Sequence, residues 1–92
     1  MNAADAETAL GGEVRTALRA LRKQQTYVAR NRLDLAAARR THPELVAPFR
    51  KRVRDSERVL KLFVEACNAR VEAGTMKQRH LDSALRDGTL PA

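Results

Sequence analysis

Six cations crowd one stretch of sixteen residues, "RRTHPELVAPFRKRVR" (residues 39 to 54): Arg39, Arg40, Arg50, Lys51, Arg52 and Arg54, against the single acid Glu44. A guanidinium group keeps its charge at any physiological pH and presents a planar fork of donors that matches phosphate or carboxylate. Such residues gathered in one place bind anions. Arginine outnumbers lysine fourteen to four over the chain, which favours forked contacts. The net charge of +7 in 92 residues points to an acidic partner, either nucleic acid or an acidic protein surface.

The excess is not spread evenly. Residues 14 to 54 hold twelve cations against two acids, a net of +10, whereas residues 55 to 92 hold six of each. Arg15, Arg19, Arg22, Lys23 and Arg30 share roughly 100° of arc if their segment is helical. No acids interleave with them, as they do on a face built only for solubility. Beyond Arg54 the signs alternate, with Glu57, Lys61 and Glu65 spaced by four, the pattern of an ordinary exposed helix.

Residues that could carry catalysis are few. There is no Gly-rich phosphate loop, no Gly-x-Ser-x-Gly and no His-Glu-x-x-His. Cys67 lies four residues after Phe63 on an apolar stripe and reads as a packed core thiol. One cysteine excludes an internal disulfide, and with only His42 and His80 beside it no zinc set is expected. The expectation is a non-catalytic protein without cofactor or metal. His42 and His80 read as polar surface residues, and Tyr27 lies beside the apolar seam near Asn31.

The elements that must position these cations are helical. Alanine is frequent, glycine and proline are few, and Leu, Val and Ala must fill the interior because there are only three aromatics. Residues 1 to 12 read as an acidic lead-in, closed by Gly11-Gly12, with Gly12 as a possible N-cap. Val14, Leu21, Val28 and Leu35 then recur every seven residues and predict a helix over 13–40. Gln24, Gln25, Asn31 and Arg32 interrupt its seam, which predicts that this part is half exposed. Thr41 with Glu44 matches a capping box, Pro43 suits a first turn, and Pro48 argues for a short turn over 42–47.

A second helix is predicted over 48–73, with Phe49, Val53, Leu60, Phe63 and Cys67 as its main stripe and Ser56 as the gap. Gly74 follows as a C-cap. Thr75 with Gln78 opens a short third helix over 76–86, which Asp87-Gly88 ends, with Met76, Leu81, Ala84 and Leu85 inward. Two rods of equal length joined by a short connection predict an all-α antiparallel hairpin with the third helix near its open end. A second stripe on helix two, Val59, Leu62, Ala66, Ala69 and Ala73, needs another neighbour, either the short third helix or a second hairpin across a two-fold axis, and a homodimer interface is the expectation.

In that hairpin Arg39, Arg40, Arg50, Lys51 and Arg54 meet at the tip, with the Arg15 to Arg30 face along helix one. Cations in a helix's first turn oppose its dipole, and a bound anion would relieve the conflict. The functional expectation is a module gripping nucleic-acid phosphates. The alternative is an assembly subunit or inhibitor from a mobile element that covers an acidic protein. No apolar run spans a bilayer and the N-terminus is no secretory signal, so a cytoplasmic protein without membrane contact is expected.

Overall fold

The computed structural model describes residues 1–87. Four α-helices account for most of them: α1 (Ala3–Leu10), α2 (Val14–Thr41), α3 (Val46–Glu72) and α4 (Gln78–Asp87). The fold is all-α. The long helices α2 and α3 run antiparallel, joined by one turn of 3-10 helix at Pro43–Leu45. Helices α1 and α4 are short and both pack against this hairpin at its open end.

The bend forms where the prolines require it, with different local chemistry from that expected. Thr41 does not cap a helix. It is the last residue of α2, and its hydroxyl donates back to the Ala37 carbonyl at 2.9 Å. The Leu45 amide donates to His42 O at 2.9 Å, closing the 3-10 turn, and α3 starts at Val46, two residues earlier than expected. Pro48 then occupies the third helical position, where a missing N–H removes no intrahelical hydrogen bond. At the other end of α3, Gly74 takes φ 81° and Thr75 N donates to Arg70 O at 2.9 Å, a Schellman closure. Thr75 therefore closes α3 and does not open α4. Its hydroxyl also donates to Arg70 O, and α4 begins at Gln78. Gly88 lies outside the described residues.

The largest departure is at the N-terminus. Residues 3–10 form a helix docked on α2 and α3. Asn2 caps it: its side chain accepts from Asp5 N at 2.9 Å, and Asp5 accepts from Asn2 N at 3.1 Å. Ala6 and Leu10, four apart, are fully buried. Gly11 at φ 80° lets the chain turn into α2, whose N-cap is Glu13 in place of Gly12. Arg70 holds the joint from α3. It donates to both the Glu7 carboxylate and the Gly11 carbonyl, the latter at 2.6 Å.

The main core lies at the open end, where all four helices meet. It contains Ala6, Leu10, Ala17, Leu18, Leu21, Phe63, Cys67, Met76, Leu81 and Ala84. Burying a leucine such as Leu10, Leu21 or Leu81 contributes about 1.5–3 kcal/mol each. Met76, Leu81 and Ala84 are inward as expected, with Leu85 packed beside them. On α3, Val59, Leu62 and Ala66 are half-buried against this core, whereas Ala69 and Ala73 are exposed. The second neighbour that this stripe needs comes in part from the same chain. Helix α1 lies on the side of Arg70, and Ala66 precedes Arg70 by one turn. Ala69 and Ala73 remain uncovered by α1.

Toward the bend only α2 and α3 remain. Val28, Leu35 and Ala38 are buried there, and two polar residues join them: Asn31, 3% exposed, and Ser56, 4% exposed. Of the four residues that interrupt the seam, Gln24 and Gln25 are half-buried and Arg32 is exposed, as expected, whereas Asn31 is closed in. Asn31 Nδ2 donates to Ser56 Oγ at 3.2 Å, and that hydroxyl donates to Val53 O at 2.9 Å. Gln24 Nε2, two turns from Asn31, donates to the Ser56 carbonyl at 3.0 Å. The polar interruptions of one helix thus meet the gap in the other.

Two substitutions check this account. Leu10→Ala should cost about 2–5 kcal/mol in urea denaturation, because α1 belongs to the core and is not a free lead-in. Asn31→Ala should cost about 1–3 kcal/mol by the same measurement, through loss of a buried hydrogen bond and the space it leaves.

Candidate nucleic-acid interface

Helix α2 carries Arg15, Arg19, Arg22, Lys23 and Arg30 on the side turned away from α3, because its opposite side holds Ala17, Leu21, Val28, Asn31 and Leu35 against the rest of the fold. Arg15, Arg19, Lys23 and Arg30 are exposed. Arg22 is half-buried and beside α4: with Val14, Arg15, Leu18 and His80 it lines a shallow hollow. Arg22 is thereby partly withdrawn from the cationic face. Arg32, next along the helix, is engaged across the seam, with Nη2 at 3.0 Å from Glu57 Oε1.

At the bend the hairpin brings Arg39 and Arg40, in the last turn of α2, to the same end as Arg50, Lys51 and Arg54 on α3. All five are exposed. None makes an ion pair or side-chain hydrogen bond among the described residues. The one acid of the bend, Glu44, lies 3.3 Å from His42 Nδ1, both exposed. The cations at the end of α2 suit its dipole.

The start of α3 differs from the arrangement expected. Its first turn is Val46, Ala47, Pro48 and Phe49, so Arg50, Lys51 and Arg54 lie in the second and third turns. A helix dipole acts mainly within the first turn, so these residues oppose it little. The conflict that a bound anion was expected to relieve is therefore weak. What remains is a cluster of guanidinium and ammonium groups with Glu44, beside His42, as the one acid of the bend.

Helical spacing decides which cations act together. Taking Ser56 as the direction facing α2, Arg50, Lys51 and Arg54 fall within roughly 100° of arc on the far side of α3. Arg15, Arg19, Lys23 and Arg30 point outward from α2. The two sets thus cover opposite outer flanks of the hairpin and approach each other only round the tip. The fold places the α3 set near the tip and runs the α2 set from the open end to the middle of the opposite flank, and does not gather them on one flat plate.

Arg52 belongs to neither flank. Its guanidinium carbon lies 4.8 Å from the centre of the Phe49 ring, an arrangement in which the ring face attracts the cation. It also lines a groove of about 400 Å³ with Gln24, Tyr27, Pro48, Lys51, Asp55, Ser56 and Val59. Sequence reading did not single out this groove. The exposed Tyr27 beside the seam was its one available signal.

No metal cluster of His, Cys, Asp and Glu occurs among the described residues. No helix among them is long and apolar enough to cross a membrane. Cys67 is fully buried in the main core. Burial pushes its thiol up, the Arg70 guanidinium pulls it partly back, and Glu7 adds to the rise. No protein-family model matches the chain, and neither a curated protein nor a solved structure matches it.

The environment of Cys67 sets an outcome that can be measured. Iodoacetamide should label the native chain far more slowly than the urea-unfolded chain at pH 8, read by mass spectrometry. The native thiol also keeps its proton to higher pH than the unfolded one. Its contribution to stability is thus complete below the unfolded thiol's range and lost as pH rises through the native one.

Proposed function

We propose that this chain is a non-catalytic module that grips the phosphate backbone of nucleic acid with the tip of its hairpin and the outer face of α2. The observation that carries the reading is the set of five exposed cations at one end: Arg39, Arg40, Arg50, Lys51 and Arg54. They come from two helices, and no acid among the described residues neutralises them. Arg15, Arg19, Lys23 and Arg30 extend the surface for about 22 Å along α2 at ~1.5 Å per residue.

Charge on both flanks of the tip suits phosphates that approach from two sides, as the walls of a groove or two adjacent strands do. Guanidinium groups bind phosphate through parallel N–H contacts and need no base to be read. The bases themselves are left alone in this reading. Phe49 is already under Arg52, Phe63 is buried, and Tyr27 is a single exposed ring away from the tip, so the aromatics form no continuous stacking platform. Recognition is by shape and charge, in a compartment that holds nucleic acid, with the cytoplasm as the simplest choice. A single copy carries all of these residues, and a homodimer would repeat the tip without completing it.

The second reading is that the same cations cover an acidic protein surface, and one titration separates the two. Fluorescently labelled duplex and single-stranded oligonucleotides should bind the full chain, with affinity falling as salt rises. Six phosphate contacts on duplex correspond to a log–log slope of about −5. Reversing Arg50, Lys51 and Arg54 together to Glu should abolish retention of both probes. Reversing Lys77 and Arg79 should change it little. If the triple variant still binds both probes at low salt with its helicity intact, the tip is not the site.

A further inference from the structure

We propose that the groove beside Tyr27, between α2 and the bend half of α3, is a docking site for an acidic amphipathic helix of a partner protein. The site lies between the charged flanks and shares only Lys51 with them, and it is argued from the way the same groove is already used at the open end. There α1 is the occupant. It contributes Ala6 and Leu10, both fully buried, as its inner stripe, while Glu7 meets the Arg70 guanidinium at the rim.

The vacant stretch continues the same two walls. On α2, the Thr16 methyl is the nearest neighbour of the space beside Gly11, at the end of α1. Tyr27 lies eleven residues further on, only about 20° around at 100° per residue. On α3, Val59 lies eleven residues before Arg70 and is offset by the same small angle. Arg52 precedes Arg70 by eighteen residues, which is five full turns at 3.6 residues per turn, so the two arginines share one side of α3. The bend half therefore repeats much of the open end's chemistry: apolar surface from Tyr27, Val59 and Pro48 beside the Gln24–Ser56 pair, with Arg52 and Lys51 at the rim.

The repeat has no occupant among the described residues. Tyr27 is 49% exposed and the hollow measures about 400 Å³. Side chains larger than alanine are needed to fill it. Lys51 and Arg52 call for carboxylates toward the bend, whereas Asp55 repels an acid at its own level. From Val59 to Pro48 the wall runs about 16 Å at ~1.5 Å per residue, the length of a helix of about three turns. Nucleic acid would satisfy the cations and leave the apolar floor uncovered. An acidic helix satisfies both.

The test uses the full chain, labelled with 15N, and a twelve-residue peptide with capped ends. Its inner face is a Leu/Ala stripe and its outer flank is glutamate; a scrambled peptide of the same composition is the comparison. Amide shifts at Gln24, Tyr27, Arg52 and Val59, with the scrambled peptide at least about tenfold weaker, are the expected result. Tyr27→Ala and Arg52→Glu, both at exposed positions, should each weaken the peptide by about tenfold. Tyr27→Ala should leave oligonucleotide affinity unchanged, so that failure here is distinguishable from failure of the phosphate-binding reading. Four results overturn the proposal. They are equal binding of the scrambled peptide, shifts confined to the Arg15 to Arg30 face, displacement of α1 seen at Ala6 and Leu10, and no shift at all. A duplex oligonucleotide that moves the groove amides and expels the peptide would assign the groove to nucleic acid instead.

Discussion

The pairing of α2 with α3 around Ser56 is the constraint on which the rest of the fold depends. Gln24 and Asn31, two turns apart on α2, both donate to Ser56, one to its carbonyl and one to its hydroxyl. The heptad seam of Val14, Leu21, Val28 and Leu35 by itself would tolerate a slip of the two helices by one repeat. A slip would leave the buried Asn31 amide without its partner, at a cost of about 1–3 kcal/mol, while the Ser56 hydroxyl would keep its bond to Val53 O within α3. One small polar cluster thus fixes how far along each helix the bend and the open end fall. The Arg32–Glu57 pair sits one residue further along each helix and agrees with that register.

With the register set, the molecule divides into halves with different physics. At the open end, four helices enclose a core in which Leu10, Leu21, Leu81 and Cys67 are essentially inaccessible. At the bend end, two helices have only each other, and Val28, Leu35 and Ala38 are the buried apolar residues of the pair. A two-helix layer leaves most of its circumference to solvent. That is where the chain gathers Arg39, Arg40, Arg50, Lys51 and Arg54 and where its groove lies open, although Arg15 and Arg19 carry the charge of α2 back to the open end. Stability is concentrated where four helices meet, and surface for recognition where two do.

Arg70 and Arg52 show how one helix can treat similar residues differently. Arg70 is drawn into the fold, its side chain 12% exposed, and serves α1 as a clamp on Glu7 and the Gly11 carbonyl. Arg52, five turns away on the same side, has only the Phe49 ring beneath it. The distinction is the presence of α1. An arginine that meets a carboxylate and a carbonyl from a docked helix becomes structural. One whose side of the groove is vacant remains available.

Much of the architecture was legible in residue spacing: the two long helices, the bend among Pro43 and Pro48, the Gly74 closure, and the inward face of Met76, Leu81 and Ala84. These follow from local rules, since periodicity and glycine or proline chemistry act over a few residues. The helix at Ala3–Leu10 also had local signals, in the Asn2/Asp5 cap and the Ala6/Leu10 spacing. So short a segment is marginal in isolation, however, and only docking stabilises it. Tertiary structure alone decided that Asn31 and Ser56 meet, that α1 packs on α3, and that the cations divide between two flanks. Each depends on the rotation of one helix about another, and rotation is set by long-range packing that no single segment encodes.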